Sequence, residues 1–149
     1  MSGRLAPRVR VVVDGRDPTA CRAAQQAELS ILQSCDQDEL RETTSRDQLS
    51  PLHIAAALGH IPALDYILKN AGLDMIDQQD AFGRTALWLA SANGKEDAVK
   101  RLLDAGANPL VSDELGETAL HAAIARGWSG IVEKLLEVRR PPVPAPGPG

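Results

Sequence analysis

The chain has 149 residues, of which 44% are hydrophobic and 24% charged, values that suit one soluble domain or a short repeat array. Only 3% are aromatic, so the core must be assembled from small side chains at close approach, which favours stacked helices over a β-sandwich. Sixteen basic and 20 acidic residues give a net charge of −4, which argues against a nucleic-acid-binding protein. No apolar run approaches the roughly 18 residues of a membrane span.

The N-terminal segment, residues 1–16, is rich in arginine and has no acidic residue before Asp14. Such a start is typical of an organelle transit peptide, but the segment is short and Val9–Val13 is typical of extended chain. We therefore expect a flexible or capping segment, with organelle targeting as the less favoured alternative. The two cysteines, Cys21 and Cys35, do not form a Cys-x-x-Cys motif, which indicates free thiols and a reducing, cytoplasmic location.

Residues 17–44 carry two weak helix signals. Asp17 is predicted to cap a helix through the Ala23-Ala24 pair, and Asp36-x-x-Glu39 has the spacing of a capping box. We expect this region to be a helical N-terminal cap or a degenerate repeat. A cap is physically needed, because the exposed face of the first unit in a repeat array must be covered.

Three later segments of the chain match one another, beginning at Ser50, Thr85 and Thr118. Their first residues are SPLHIAA, TALWLAS and TALHAAI, at offsets of 35 and 33 residues. A glycine follows nine positions after each start, and apolar residues recur 14, 17 and 18 positions after it: Gly59, Gly94 and Gly127, then Leu64, Val99, Val132, Ile67, Leu102, Leu135, Leu68, Leu103 and Leu136. So many matching positions at one spacing predict an internal repeat.

Each repeat has the signals of two helices followed by a turn. The initial Ser or Thr is a helix N-cap, and the glycine nine positions later ends the first helix, most simply in the left-handed conformation. The apolar positions 14, 17 and 18 form the stripe of an amphipathic second helix. Asp80–Gly83 and Asp113–Gly116 have the residue types of turns and are predicted to reverse the chain.

This pattern resembles the ankyrin repeat, whose consensus contains Gly-x-Thr-Pro-Leu-His-x-Ala-Ala, then Gly-His, Leu-Leu and Gly-Ala. The match covers residues 45–138, in repeats at about 45–79, 80–112 and 113–138. The resemblance implies an all-α fold, an ankyrin-repeat solenoid of stacked antiparallel helix pairs with β-turn fingers at one edge.

The repeats depart from the consensus at a few positions. Ala86 and Ala119 replace proline, Trp88 replaces histidine, and Gln48 stands in the place of a glycine. The first repeat is also two residues longer than the others, so we expect its finger to be irregular. After the repeats, residues 139–149 are so rich in proline that they predict a solvated, disordered tail, with docking on an SH3-type groove as the alternative.

Nothing in the sequence indicates catalysis. His53 and His121 occupy the histidine position of the consensus, where the resemblance implies that imidazole hydrogen-bonds backbone across a repeat junction; His60 is also expected to be structural. Three distant histidines without other ligands at suitable spacing do not make a zinc site. Ser50 and Thr85 have the pattern of helix caps rather than nucleophiles, and no phosphate-binding glycine loop is present. We therefore expect a protein that is not an enzyme and has no cofactor or metal.

The resemblance implies that a protein partner binds the surface formed by the fingers and the first helices. Mapping this surface position by position gives fourteen candidate residues: Arg46, Asp47, Leu49, Leu58, Ala81, Phe82, Arg84, Trp88, Asn93, Glu114, Leu115, Glu117, Arg126 and Trp128. We expect a monomer that binds a protein, and neither nucleic acid nor a membrane. The alternative is a stoichiometric inhibitor or an assembly factor for one enzyme or complex.

Three aromatic candidates have structural alternatives. Phe82 is a hot-spot candidate at a turn tip, but it could pack on the adjacent finger instead. Trp88 could fill the repeat junction where histidine would hydrogen-bond, and this alternative is favoured. Trp128 either faces the partner or covers the exposed edge of the last repeat.

Overall fold

The computed structural model describes residue 9 and residues 11–139, so most of the N-terminal segment's first ten residues and the predicted proline-rich tail lie outside it. Within this part the chain forms α-helices and two 3-10 helices, with no strand. The α-helices are α1 (Thr19–Gln26), α2 (Leu29–Ser34), α3 (Pro51–Leu58), α4 (Ile61–Asn70), α5 (Ala86–Ala92), α6 (Glu96–Asp104), α7 (Ala119–Arg126) and α8 (Ser129–Arg139). The 3-10 helices are Glu39–Arg41 and Leu73–Met75. No helix in the described part is long and apolar enough to cross a membrane.

The helices form two layers. Helices α1, α3, α5 and α7 pack side by side in one layer, and α2, α4, α6 and α8 pack side by side in the other. Fully buried alanines such as Ala55, Ala56, Ala90 and Ala123 allow the first helices to approach one another closely. The described chain is therefore the predicted all-α solenoid of stacked helix pairs.

The Ser50 N-cap and His53 form a capping box that also ties two repeats together. The Ser50 N–H donates to His53 Nδ1 at 3.1 Å, and the His53 N–H donates to Ser50 Oγ at 3.3 Å. His53 Nε2 lies 2.8 Å from the carbonyl of Gln78 and 3.2 Å from that of Arg84. Since Nδ1 accepts from a main-chain N–H, Nε2 carries the proton. Burial lowers the pKa of His53, so the ring is neutral at pH 7. The predicted cross-junction role of this histidine is confirmed.

The other two histidines have smaller structural roles. The cross-junction bond expected of His121 is not found in the described part of the chain: the residue is exposed, and its Nδ1 accepts the Thr118 N–H of its own repeat at 3.0 Å. No described helix pair follows α8 to supply such a bond. His60 Nε2 lies 3.2 Å from the carbonyl of Gln25, which joins the first repeat to α1.

Residues 17–44 contain a helix pair, α1 and α2, that stacks on α3 and α4 as a repeat would. The capping box predicted at Asp36 and Glu39 is confirmed, since each carboxylate accepts the other residue's N–H at 2.8 Å. The prediction for Asp17 is wrong: Pro18 occupies the N-cap of α1. The buried Asp17 carboxylate instead accepts the N–H groups of Asp14 and Ser45, and so joins two neighbouring turns.

The described part of the N-terminal segment, for which a flexible or a capping role was expected, lies against the helices. Val9, Val11 and Val13 are half-buried and pack against the core, whereas Val12 is 42% exposed. Alternate side chains facing one side are typical of extended backbone.

The fingers are turns held by a buried or half-buried aspartate. Asp80 Oδ1 accepts the N–H groups of Phe82 and Arg84, both at 2.9 Å. Asp113 makes the same two bonds in the next finger, so both turns are regular. Of the two extra residues in the first repeat, one precedes Gly72 and the other lies between Gly72 and Asp80, where the 3-10 helix Leu73–Met75 forms. The turn at Asp80 that follows is regular.

Neighbouring fingers are joined by main-chain hydrogen bonds. The Ala81 N–H donates to the Asp47 carbonyl at 2.9 Å, and the Glu114 N–H donates to the Phe82 carbonyl at 3.1 Å. Gly83 has φ +78°, and a Cβ there would lie 2.8 Å from the Glu114 nitrogen. The fingers therefore approach one another as closely as only glycine permits.

Candidate partner-binding surface

Seven of the fourteen predicted residues line one pocket between the second and third fingers. This finger pocket has a volume of about 410 Å³, and its residues are Phe82, Arg84, Trp88, Asp113, Glu114, Leu115, Glu117 and Arg126. The fingers supply one wall and helices α5 and α7 supply the other. The repeat register brings these residues together, because each lies at a finger or first-helix position.

Trp88 lies at the base of the finger pocket. The residue is 5% exposed, and its Nε1 has no hydrogen-bond partner among the described residues. The guanidinium carbons of Arg84 and Arg126 lie 5.8 and 5.7 Å from the centre of its ring. These distances are within the range of cation–π interaction, so two cations lie against the indole.

Arg84 connects Trp88 to the exposed ring of Phe82. Its guanidinium carbon lies 4.7 Å from the centre of the Phe82 ring, and its Nε and Nη2 each contact Asp80 Oδ2 at 2.8 Å. The Asp80 side chain is fully buried, so this carboxylate fixes the guanidinium and, through it, the orientation of Phe82. Phe82 remains 47% exposed despite this packing.

The rim of the finger pocket is apolar and acidic. Leu115 is 83% exposed at the tip of the third finger, and Glu114 and Glu117 beside it are exposed. Arg84 is already paired with Asp80, whereas Arg126 has no carboxylate within salt-bridge distance in the described part of the chain. Three carboxylates, those two and Asp113, therefore face one unpaired guanidinium, and the pocket has an acidic excess.

Four predicted residues lie beside the pocket without lining it. Arg46 is exposed on the first finger, while Asp47, Ala81 and Leu58 are half-buried. They belong to the first and second fingers and to α3, and so to the same edge of the stack.

Two predictions of surface residues are corrected by burial, and a third residue, Trp128, packs on the neighbouring repeat. Leu49 is fully buried with its side chain in the core, and its N–H donates to Thr44 Oγ1. Asn93 is 4% exposed and bonds the chain's own backbone. Trp128 donates from Nε1 to the carbonyl of Ala92, a residue of the second repeat, at 3.1 Å.

Trp128 is half-buried against the second repeat. A Cβ on Gly94 would lie 2.7 Å from the Trp128 ring, so the indole covers the turn between α5 and α6. The ring closes the junction between the second and third repeats.

Sequence reasoning missed two elements of this surface. Asp80 was recognised as a repeated position but not as the group that holds Arg84 against Phe82; the Asp-x-x-Gly-Arg string was the available signal. The contact of Val9 with Asn93 spans 84 residues and has no local signal in the sequence. In the described residues, no group of three or more His, Cys, Asp or Glu is arranged to hold a metal ion.

Comparisons with known proteins agree with this architecture. The family described as Ankyrin repeats (3 copies) matches residues 19–113 and 52–142. The rice (Oryza sativa subsp. japonica) proteins E3 ubiquitin-protein ligase XB3 and probable E3 ubiquitin-protein ligase XBOS31 are 40% and 36% identical to the chain over 98 and 96 residues. These matches cover 63% and 62% of the chain but 21% of each relative, so the chain spans about a fifth of the length of these proteins.

A solved structure is similar over a larger share of the chain. It is the crystal structure of the yeast ribosomal protein Rps3 in complex with its chaperone Yar1, in which one chain matches with a TM-score of 0.76 and 28% identity. The match covers 80% of this chain and 89% of that one. The family match includes α1, the first helix of the region predicted to be a cap or a degenerate repeat. Repeats of this kind are protein-interaction modules. The chain belongs to the ankyrin-repeat family.

Proposed function

We propose that the chain is a non-catalytic module that binds a protein partner on its fingers and first helices, with the finger pocket as the anchor. The observation that carries this proposal is the exposed pair Phe82 and Leu115 above a buried Trp88. An exposed apolar patch next to a buried aromatic side chain is typical of an interface hot spot. The hydrogen bonds of the fingers hold the patch in place before binding, so little conformational entropy is lost on association.

The chemistry of the pocket favours a partner side chain that is apolar or aromatic, with a basic residue next to it. The volume of about 410 Å³ is within the range of roughly 300–1,000 Å³ that is usual for ligand pockets, so it accommodates one large side chain. Glu114 and Glu117 lie on the rim, where a lysine or arginine of the partner would pair with them. Such rim pairs contribute mainly to orientation and association rate, while the ring contributes to affinity.

A second candidate function is that of an assembly factor or stoichiometric inhibitor for one client protein. The similarity to a chain of the Rps3–Yar1 complex favours it, because one member of that complex is a chaperone. Affinity purification with mass spectrometry separates the two candidates. One client recovered in stoichiometric amount supports the assembly factor or inhibitor, and several unrelated partners support a general interaction module.

Substitution of Phe82 tests the anchor. With the partner recovered from the native source, Phe82→Ala is expected to weaken binding at least tenfold, about 1.4 kcal/mol. The melting temperature should change little, because the ring is half exposed. Leu110→Ala is the matched control, since Leu110 is 59% exposed and does not line the pocket. Unchanged affinity in Phe82→Ala, or an equal loss in both variants, would contradict the proposal.

A further inference from the structure

A second surface with recognition chemistry lies at the other end of α5, around Asn93. Asn93 Oδ1 accepts the N–H of Val9 at 2.8 Å, and its Nδ2 donates to the Val9 carbonyl at 3.2 Å. The same Nδ2 donates to the carbonyl of Ala57 in α3 at 2.9 Å, which fixes the orientation of the carboxamide. Asn93 therefore bonds both polar groups of one residue of an extended segment. These bonds go to the main chain, so they do not depend on the side chain at that position.

The segment bound by Asn93 places one face on the helices. The side chains of Val9, Val11 and Val13 are half-buried against the core, and Val12 points outward with 42% exposure. We name Val9 and residues 11–13 the valine segment. Its contacts with the stack are thus of two kinds, a sequence-independent bond at Asn93 and a row of alternate β-branched side chains.

We propose that the surface around Asn93 is a binding site for extended polypeptide with alternate β-branched residues, and that the valine segment occupies it in the resting chain. A partner with such an extended stretch would displace the valine segment and make the same contacts. The chain's own residues show which ligand the site fits, because they are seated on it with both polar groups of Val9 paired.

The surface around Asn93 and the finger pocket lie at opposite ends of α5. Trp88 lies in the first turn of this helix and Asn93 directly follows its last residue. Seven helical residues extend over about 10 Å. A partner could thus place a side chain in the finger pocket and an extended stretch at Asn93. The site itself does not depend on the finger pocket, and it can be tested without any partner.

The test uses a fluorescent peptide of residues 7–16 and full-length protein, with fluorescence anisotropy as the measurement. Val11→Asp places a charge on the packed face of the valine segment and should release it, whereas Val12→Asp alters an exposed side chain. The peptide is expected to bind Val11→Asp at least tenfold more tightly than it binds the wild type or Val12→Asp. If Val11→Asp fails to fold, Val9→Pro removes the N–H that donates to Asn93 and replaces it in the test.

Two further arms test the chemistry of recognition with the released variant. A peptide N-methylated at Val9 lacks the N–H donor and should bind at least tenfold more weakly than one N-methylated at Val12. Phe82→Ala should leave peptide binding unchanged, which separates this site from the finger pocket.

Three results would overturn the inference. The first is that the peptide does not bind the released variant, and the second is that it binds the released variant and the wild type equally. The third is that the two N-methylated peptides bind with the same affinity. The first result would contradict the existence of the site, and the second would contradict its occupation by the valine segment. The third would contradict recognition through the main chain.

Discussion

Replacement of Gly83 by alanine tests how much the contact between fingers contributes to the repeat array. Gly83 has φ +78°, a left-handed conformation that costs a non-glycine residue about 1–2 kcal/mol. An alanine Cβ would also lie 2.8 Å from the Glu114 nitrogen, so the third finger must move away. That movement breaks the bond from the Glu114 N–H to the Phe82 carbonyl, at a cost of about 0.5–1.5 kcal/mol. Together these give a loss of about 1.5–3.5 kcal/mol in the free energy of unfolding.

Gly116 provides a control with the same backbone strain. Its φ is also +78°, but nothing lies within 4 Å of the position that a Cβ would take. Gly116→Ala is therefore expected to cost about 1–2 kcal/mol, from the backbone alone. The difference between the two variants isolates the contact between the second and third fingers.

Urea denaturation of the two variants gives this difference directly, provided that the slope m is unchanged. Equal losses in Gly83→Ala and Gly116→Ala would refute the reasoning, because the contact would then contribute nothing to stability. The same pair of variants bears on function. Gly83→Ala moves the two fingers that form the finger pocket, so it should weaken partner binding more than Gly116→Ala does.

Two other predictions concern titration and reactivity. The folded-state pKa of His53 is lowered by burial below its ordinary value of 6.5, so below about pH 6.5 the unfolded chain binds more protons and stability falls as the pH is lowered. The slope of the free energy of unfolding against pH is at most about 1.4 kcal/mol per pH unit. Urea titrations from pH 7 to pH 5 should show that His53→Gln loses this slope and that His121→Gln keeps it. An unchanged slope in His53→Gln would contradict the prediction. A thiol reagent should label Cys35 faster than Cys21, because Cys21 is fully buried and Cys35 only half-buried. Burial raises the pKa of both thiols, to about 12 for Cys21. A single fast phase with full amplitude for both thiols would show that Cys21 is not protected.

The periodic parts of the fold could be predicted because they depend on local signals that recur. Caps, glycines and amphipathic stripes set each helix pair, and the repeat register then places equivalent positions on the same surface. For this reason Phe82, Leu115 and Arg126 were predicted to lie on one surface, and they line one pocket. The bonds of His53 across the repeat junction were likewise predicted from its position in the repeat.

The corrected residues and Trp128 are those whose environment depends on contacts outside their own repeat. Leu49 is buried, and its N–H and carbonyl both bond Thr44, which precedes the first repeat. Asn93 and Trp128 lie at repeat edges, where the neighbouring chain decides whether a side chain faces solvent. Comparison of equivalent repeat positions cannot predict that Val9 lies against Asn93, because Val9 precedes the repeats and has no equivalent in them.

The same capping motif has very different surroundings at the two ends of the array. The His53 ring is 1% exposed beneath the following repeat, whereas His121 and its Thr118 cap are not covered by described residues. Local opening is easiest where few buried contacts must be broken, so amide hydrogen exchange should be faster in the third repeat than in the first. Of the two fingers that form the finger pocket, the second should therefore open less readily than the third. A bound partner should slow exchange at the Glu114 amide most, and part of its binding energy would be used to order the third finger.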